Sequence, residues 1–243
     1  MSDWITGRNP VYEVLKSKRR QIHRLWIAQG VKIQGRLAEI IDLAQTARIP
    51  VEIVKRSNLD GIDPHHQALA LECGAYPYAN LEDIIGKAKS QKEPVFVLLL
   101  DLIQDPQNLG TLLRTAEAFG VHGVVIPLAR AASVTPAVVN ASSGATEMLL
   151  IAQHNLAQAM DRLKEVGGWM VGLEDSPEAK PPDQIDLTGG IGMVIGNEAQ
   201  GLRRLVREKC DFLMRIPMQG GIDSLNAAVA GSIALFLARQ ARR

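Results

Sequence analysis

The stretch VFVLLLDLIQDPQNLGTLLRTAEAFGVHGVVIP (residues 95–127) decides the fold of the larger part of this chain. It opens with the unbroken apolar run VFVLLL and closes with VVIP, and a polar loop and a segment of helical spacing lie between them. Continuous apolar runs are typical of strands buried on both faces of a parallel sheet. The stretch therefore predicts a strand, a helix over 108–119 and another, parallel strand.

The loop inside this stretch resembles a connection that cradles a nucleotide, but it lacks the expected glycines. Dinucleotide-binding loops carry the pattern GxGxxG, whereas residues 105–120 carry one glycine near each end of the helix together with Asn108 and Arg114. The missing pattern argues against a Rossmann nucleotide-binding enzyme. A plainer interpretation stays open, in which Asn108 caps the helix and Arg114 pairs with Glu117.

Similar patterns extend over the whole chain. Residues 1–75 alternate helical and extended segments, with IHRLWIA (22–28) and VEIV (51–54) among the extended ones, and predict a small α/β domain. Residues 76–94 predict a linker with a short entry helix. Residues 95–243 continue with further apolar strands and helices. The fold class is α/β throughout, with a parallel sheet in the C-terminal domain.

Composition indicates an ordinary globular protein of 243 residues with a net charge of +1. The longest apolar runs fall short of the ~20 residues that span a membrane, and the polar start MSDWITGRNPVY lacks the apolar core of a secretory signal. Cys73 and Cys210 stand far apart and outside any CxxC pattern. We therefore expect free thiols, a cytoplasmic location, no membrane association and no metal site.

A basic run, KSKRRQIHR, occupies residues 16–24. Such runs are usually solvated surface, but an RNA backbone is a partner that would use clustered positive charge. The candidate RNA-binding residues are Lys18, Arg19, Arg20 and Arg24.

Three segments share one design, in which an apolar strand ends in a loop rich in Gly, Asn, Glu or Ser. They are LLLDLIQDPQNLGTLLRTAEAFG, MVIGNEAQGLRR and RIPMQGGIDSLNAAVAG. Ligands of parallel sheets bind at the carboxyl ends of strands, so convergence of these loops would make a site.

The last of these segments leads into a strongly patterned helix. Apolar residues from Leu225 to Leu237 follow i, i+3, i+4, i+7 spacing, and Ser224 is the candidate N-cap. The other side of the helix carries Ala and Gly, which permit close approach of the sheet or of a partner subunit.

Together the three segments resemble the signature motifs of the SpoU/TrmH family of RNA ribose 2'-O-methyltransferases, within the SPOUT superfamily. Order and spacing agree over residues 95–240. The resemblance implies S-adenosyl-L-methionine as cofactor, a deep trefoil knot that holds it, and a homodimer with the active site near the subunit interface. The small-residue side of the last helix and SVTPAVVNAS (residues 133–142) are candidate contributors to that interface. The implied catalytic residues are Arg114, Asn108, Glu198, Ser224 and Asn226. The implied cofactor-binding residues are Gly196, Asn197, Gly201, Ile216, Met218 and Leu225.

The N-terminal domain also resembles the L30e-like substrate-binding domain of the family's large-subunit rRNA guanosine methyltransferases. The matching stretches are GRNPVYEVL and HHQALAL, where the family commonly has H-Q-G and this chain has Ala68. The resemblance implies 2'-O-methylation of a ribose, that of a guanosine in 23S rRNA by the nearest analogy. Alternatives are a uridine of the same RNA, a tRNA, or a non-catalytic RNA-binding protein of this fold.

Overall fold

The computed structural model describes residues 2–198, 200–221 and 224–242. Its strands are β1 (Asp3–Thr6), β2 (Ile22–Ala28), β3 (Val51–Val54), β4 (Leu69–Cys73), β5 (Phe96–Leu100), β6 (Gly123–Ile126), β7 (Ile151–Gln153), β8 (Gly168–Leu173), β9 (Gly190–Ile195) and β10 (Phe212–Met214). Its helices are α1 (Arg8–Ser17), α2 (Arg36–Thr46), α3 (Arg56–Asp60), α4 (Leu81–Gln91), α5 (Pro106–Ala118), α6 (Pro136–Ala141), α7 (Leu156–Glu165), α8 (Arg204–Glu208) and α9 (Ala227–Ala241).

The chain divides into two compact units, and their boundaries differ from the sequence-based domains. The first unit comprises Met1–Pro77 and Val134–Met148, and the second unit comprises Tyr78–Ser133 and Leu149–Arg243. Residues 78–94, predicted as a linker with an entry helix, belong to the second unit, where α4 starts with a capping box at Asn80. The segment 134–148 joins the first unit because α6 and the turn after it bury apolar side chains against β1 and α1.

The first unit is a four-stranded sheet in the order β1-β4-β2-β3, in which only β2 and β3 run parallel. The bounds of β2 and β3 are those that the sequence predicts. Helices α1 and α2 pack together, and each buries one stripe of apolar side chains. The predicted small α/β domain is therefore confirmed.

The second unit is a six-stranded, wholly parallel sheet in the order β10-β8-β9-β5-β6-β7. Every residue of β5, β6 and β9 is buried, as the continuous apolar runs predict. Because all strands run in one direction, their carboxyl ends meet at a single edge. The exit loops of β5 and β9 therefore lie side by side.

Helix α5 begins two residues earlier than predicted, at Pro106, and Asn108 is not its cap. The cap is Asp105, whose carboxylate accepts hydrogen bonds from the main-chain N–H groups of Gln107 and Asn108. Proline at the first helical position fits this start, since it has no N–H to satisfy. The Asn108 side chain is consequently available for other contacts.

Helix α9 corrects one further expectation and decides between two alternatives for its small-residue side. Its N-cap is Asn226, which accepts from the N–H groups of Ala228 and Val229, so Ser224 is not the cap. The small residues face inward: a Cβ on Gly231 would lie 2.6 Å from the Leu112 side chain. The outer side carries Val229 and Phe236, 48% and 43% exposed.

Among the helices of the described residues, none combines the length and the apolar character that a membrane span requires.

Candidate functional site

The exit loop of β5 is fixed from two directions. Asp101 is fully buried, and it accepts from the main-chain N and the Nε of Arg203 at 2.8 and 2.6 Å. The next residue, Leu102, has a left-handed φ of 62°, and its carbonyl accepts from Asn197 Nδ2 at 3.0 Å. A residue other than glycine adopts this backbone only when its surroundings hold it there. The loop before α5 is therefore preorganised.

The exit loop of β9 closes on itself. The main chains of Asn197 and Gly201 exchange two hydrogen bonds of 3.1 and 2.8 Å. This closure brings the backbone of Gly201 so near to Gly196 that a Cβ on Gly196 would lie 2.4 Å from a carbonyl carbon. Only glycine fits at position 196, and Gly201 itself has a left-handed φ of 65°.

A hydrogen-bond cluster joins all three polar segments. Glu198 Oε1 accepts from Asn108 Nδ2 at 2.8 Å, from Asn226 Nδ2, and from the Ala227 main-chain N at 3.2 Å. Asn226 Nδ2 also donates to Asn108 Oδ1 at 3.1 Å. One carboxylate oxygen thus connects the exit loop of β9, the first turn of α5 and the start of α9.

A cavity of about 270 Å³ lies against this cluster. Its wall includes all six sequence-predicted cofactor residues, which are Gly196, Asn197, Gly201, Ile216, Met218 and Leu225. Two of the predicted catalytic residues, Glu198 and Ser224, also line it, while Asn108 and Asn226 reach it through Glu198. The structure therefore gathers residues that lie far apart in sequence.

The wall also includes residues that the sequence did not predict, among them Glu174, Asp175 and Arg215. Glu174 and Asp175 follow β8, and Arg215 follows β10, so the rule that placed the other loops applies to them as well. Glu174 is held by Arg207 Nε at 2.9 Å. The carboxylates add negative charge to one end of an otherwise largely apolar cavity.

Arg114 does not line the cavity. It lies on the exposed side of α5, six residues after Asn108, which corresponds to about 120° around the helix and about 9 Å along it. Its neighbour Thr115 hydrogen-bonds Ser232 of α9 at 2.9 Å. Arg114 therefore lies beside the outer surface that α5 and α9 share.

Part of the basic run lies inside the first unit and not on a cationic surface. The Arg20 side chain is fully buried and pairs with the fully buried Glu147 at 2.7 Å, so it cannot meet an RNA backbone. Burial alone would lower the pKa of Arg20, but the hydrogen bond and charge of Glu147 outweigh burial and raise it. The same burial raises the pKa of the neighbouring Tyr76 to about 12.

The other arginines of the run are also engaged within the first unit. Arg19 donates to the carbonyls of Pro77 and Thr146, at 3.1 and 3.3 Å. Arg24 pairs with Glu72 at 2.7 Å and stacks on Trp26. Lys18, in contrast, is exposed.

The described residues contain no group of three or more His, Cys, Asp or Glu side chains placed to hold a metal ion. His66, one of an adjacent histidine pair, hydrogen-bonds Asp60 at 3.1 Å and accepts from the Ala68 main chain at 2.9 Å. Both ring nitrogens therefore form hydrogen bonds within the turn that precedes β4.

Two family models match successive parts of the chain. A family model described as "SpoU rRNA Methylase family" matches residues 95–236, and one described as "RNA 2'-O ribose methyltransferase substrate binding" matches residues 4–79. The chain is 40% identical over 236 residues to YacO of Bacillus subtilis, which is assigned to the TrmH family of tRNA/rRNA methyltransferases. That alignment covers 96% of this chain and 94% of YacO.

Solved structures share the architecture. The SpoU methyltransferase AviRb of Streptomyces viridochromogenes, in complex with AdoMet, superposes with a TM-score of 0.82 at 24% identity, covering 99% of this chain and 90% of its own. An AdoMet-bound rRNA methyltransferase of Sinorhizobium meliloti gives a TM-score of 0.79 at 25% identity, covering 98% and 87%. The expected two-domain α/β fold is confirmed, and the chain belongs to the SpoU rRNA methylase family of RNA methyltransferases.

Proposed function

We propose that this protein transfers a methyl group from S-adenosylmethionine to a ribose 2'-hydroxyl of ribosomal RNA in the cytoplasm. The main support is the cluster of hydrogen bonds that Glu198 accepts, because it connects three separate motif segments beside one cavity. A matching family model for RNA 2'-O-ribose substrate binding on the first unit supports the choice of acceptor. A non-catalytic RNA-binding protein would have no use for the cavity.

The cavity fits the cofactor in size and chemistry. Its volume of about 270 Å³ lies near the lower end of ligand sites. Ile216, Met218 and Leu225 offer an apolar wall for an adenine ring, and the carboxylates of Glu174 and Asp175 can receive hydroxyl or ammonium donors. The bound cofactor supplies an electrophilic methyl group, and the protein must bring the acceptor oxygen into line with it.

The chain's own residues position that acceptor. Glu198 fixes the amides of Asn108 and Asn226, and through them the start of α5 and the start of α9. Arg114 is the residue that we assign to hold the ribose and to stabilise the charge that develops on its 2'-oxygen. Because an arginine keeps its proton at neutral pH, the hydroxyl proton passes to solvent in this scheme.

We propose a homodimer formed through the outer face of α5 and α9. Val229 and Phe236 are exposed there, and Phe236 packs against Phe119 with ring centroids 5.7 Å apart. Exposed apolar clusters on a soluble protein commonly mark interfaces. We further propose that Arg114 of one subunit serves the cavity of its partner in this dimer. The segment 133–142, a candidate contributor from the sequence, instead buries Val138 and Val139 in the first unit.

We also propose that the chain forms the trefoil knot of its family. The support is local: the start of α9 bonds to the exit loop of β9 through Ala227 and Glu198, after the chain has passed through the edge strand β10. For the target, the substrate-binding unit favours rRNA over tRNA, and a guanosine of 23S rRNA is the nearest analogy.

The experiment that tests this function is mapping of 2'-O-methyl groups in rRNA and tRNA after incubation with the purified protein and S-adenosylmethionine. We expect one new modified ribose in 23S rRNA. Methylation of tRNA alone would reverse the substrate assignment, and no methylation of any RNA, in the presence of demonstrated cofactor binding, would contradict the proposal.

Mixing two inactive variants tests the role of Arg114. Arg114→Ala and Asn226→Ala are each expected to reduce methyl transfer by about 10³-fold. If Arg114 serves the partner's cavity, co-purified heterodimers of the two variants contain one intact site and recover activity. Heterodimers as inactive as the parents would show that Arg114 acts within its own chain or not at all.

A further inference from the structure

Another groove, of about 320 Å³, opens at the carboxyl ends of β6 and β7. We call it the β6–β7 groove, and its walls include Leu128, Arg130, His154, Arg203 and Leu205. Of the described residues that line it, none is Asp or Glu. The groove lies wholly in the second unit and shares no lining residue with the cavity described above.

Two arginines of the groove expose their side chains to solvent, one without a paired side chain among the described residues and one held by Asp101. Arg130 is exposed, and no described side chain pairs with its guanidinium. Asp101 accepts from the main-chain N and the Nε of Arg203, which orients that guanidinium while the side chain stays 46% exposed. An oriented arginine loses less conformational freedom when it binds a phosphate.

The groove also offers apolar surface. Leu128 is 69% exposed and Leu205 is 56% exposed, which makes them two of the most exposed large apolar side chains of the protein. Apolar side chains beside exposed arginines do not suit a simple ion, but they suit a nucleotide, which has an apolar base face and a charged phosphate.

Hydrogen bonds to the exit loop of β5 connect the groove with the candidate site. Gln104 Nε2 donates to the Arg130 carbonyl at 3.3 Å, and the Ala132 main-chain N donates to the Ile103 carbonyl at 2.8 Å. The same β5 exit loop receives Asn197 of the cavity wall. Since only β5 lies between β9 and β6 in the sheet, the nearest strands of the two sites are about 10 Å apart along the carboxyl edge.

We infer that the β6–β7 groove binds an unpaired nucleotide that flanks the methylated ribose in the RNA strand. Arg130 and Arg203 hold its phosphate, and Leu128 and Leu205 cover its base. The inference rests on the proposed action on RNA, and it assigns to the groove the selection of single-stranded over duplex substrate.

Binding of fluorescently labelled single-stranded oligouridylate, followed by anisotropy at several salt concentrations, tests this inference. Arg130→Ala is expected to weaken binding about five- to tenfold and to reduce the salt slope by about one ion. Leu128→Ser is expected to weaken binding about threefold without changing the slope, and to leave binding of an adenylate–uridylate duplex unchanged. Arg204→Ala, a neighbouring exposed arginine outside the groove, is the matched control and should stay within about twofold of wild type.

Three outcomes would overturn the inference. The first is oligouridylate binding by Arg130→Ala equal to that of Arg204→Ala. The next is equal loss of single-stranded and duplex binding in Leu128→Ser. The last is a change in sedimentation of either groove variant, which would make the groove a protein interface. Because the assay requires no methyl transfer, an inactive wild type with a sensitive groove would contradict only the proposed function.

Discussion

The basic run of the first unit and the polar exit loops of the parallel sheet are equally suggestive in sequence, but the fold uses them differently. In the run, Arg20 is buried and forms an ion pair with Glu147. In the loops, Asn108, Glu198 and Asn226 converge on one cavity and stay open to solvent on part of their surface. Charge that is clustered along a chain need not be clustered on a surface, whereas loops that follow parallel strands must meet at one edge.

The comparison separates residues that stabilise the fold from residues that serve the reaction. Substitutions of the stabilising residues should change the free energy of unfolding and leave catalysis intact at temperatures where the protein is folded. Substitutions of the residues that serve the reaction should reduce catalysis and leave the free energy of unfolding nearly unchanged.

The largest effect is expected for Arg20→Ala, which leaves Glu147 buried without its partner. The free energy of unfolding should fall by about 3–5 kcal/mol, because an uncompensated buried carboxylate is costly. Denaturant titration followed by tryptophan fluorescence measures the change. RNA affinity at low temperature should equal that of wild type.

The double substitution Arg20→Met with Glu147→Leu is the matched control. Replacing both charges by apolar groups should recover most of the lost stability, since a buried ion pair and an apolar pair of similar volume are often nearly equal. Weakened RNA binding in this stably folded double variant would show that Arg20 contacts RNA after all. The basic run and the exit loops would then both serve RNA binding.

The next effect is on catalysis. Glu198→Ala leaves the amides of Asn108 and Asn226 without their common acceptor, so the acceptor ribose should be held less accurately. We expect methyl transfer to fall by about 10²-fold, equivalent to about 2.7 kcal/mol. Rates measured at saturating cofactor and RNA give the effect on kcat.

Glu208→Ala controls for loss of a surface carboxylate, since Glu208 pairs with Arg204 at 2.8 Å within one exposed helix. Its rate and its stability should match those of wild type. A Glu198→Ala enzyme with normal kcat but lower unfolding free energy would place Glu198 among the residues that only stabilise the fold.

Much of the architecture could be predicted because it depends on local pattern. The apolar runs predicted the parallel strands, and the bounds of β2 and β3 agree with the structure. The gathering of Gly196, Ile216 and Leu225 follows from strand direction together with the family resemblance. Both rest on rules that need no knowledge of distant contacts.

The remaining features depend on partners far away in sequence. Arg20 meets a carboxylate 127 residues later, and no charge count reveals that pairing. The sequence left open whether the small-residue side of α9 faces its own chain or a partner subunit because both sides of this helix are apolar, and the close fit of Gly231 against Leu112 decides between them. Periodicity cannot choose between two apolar faces.

A smaller effect is expected at Ala68, where the family commonly has glycine. Ala68 has a left-handed φ of 72°, which strains a residue that carries a Cβ. Ala68→Gly should therefore raise the free energy of unfolding by about 1 kcal/mol, measured by denaturant titration. Methylation should not change, because this turn serves the fold of the first unit. A more active but no more stable variant would assign the turn to substrate binding instead.

The smallest effect tests Lys18, which among the four candidate RNA-binding residues is the one that is exposed. Lys18 is exposed, and its cation would contribute one phosphate contact that salt screens readily. Lys18→Ala should weaken rRNA binding about twofold at low salt and leave the unfolding free energy unchanged, which filter binding and denaturant titration can measure together. Lys92→Ala, an exposed lysine of the second unit, is the control for loss of net charge. A tenfold loss of affinity confined to Lys18→Ala would make this single lysine the RNA contact of the run. An effect equal to that of Lys92→Ala would mean that the run contributes only net charge.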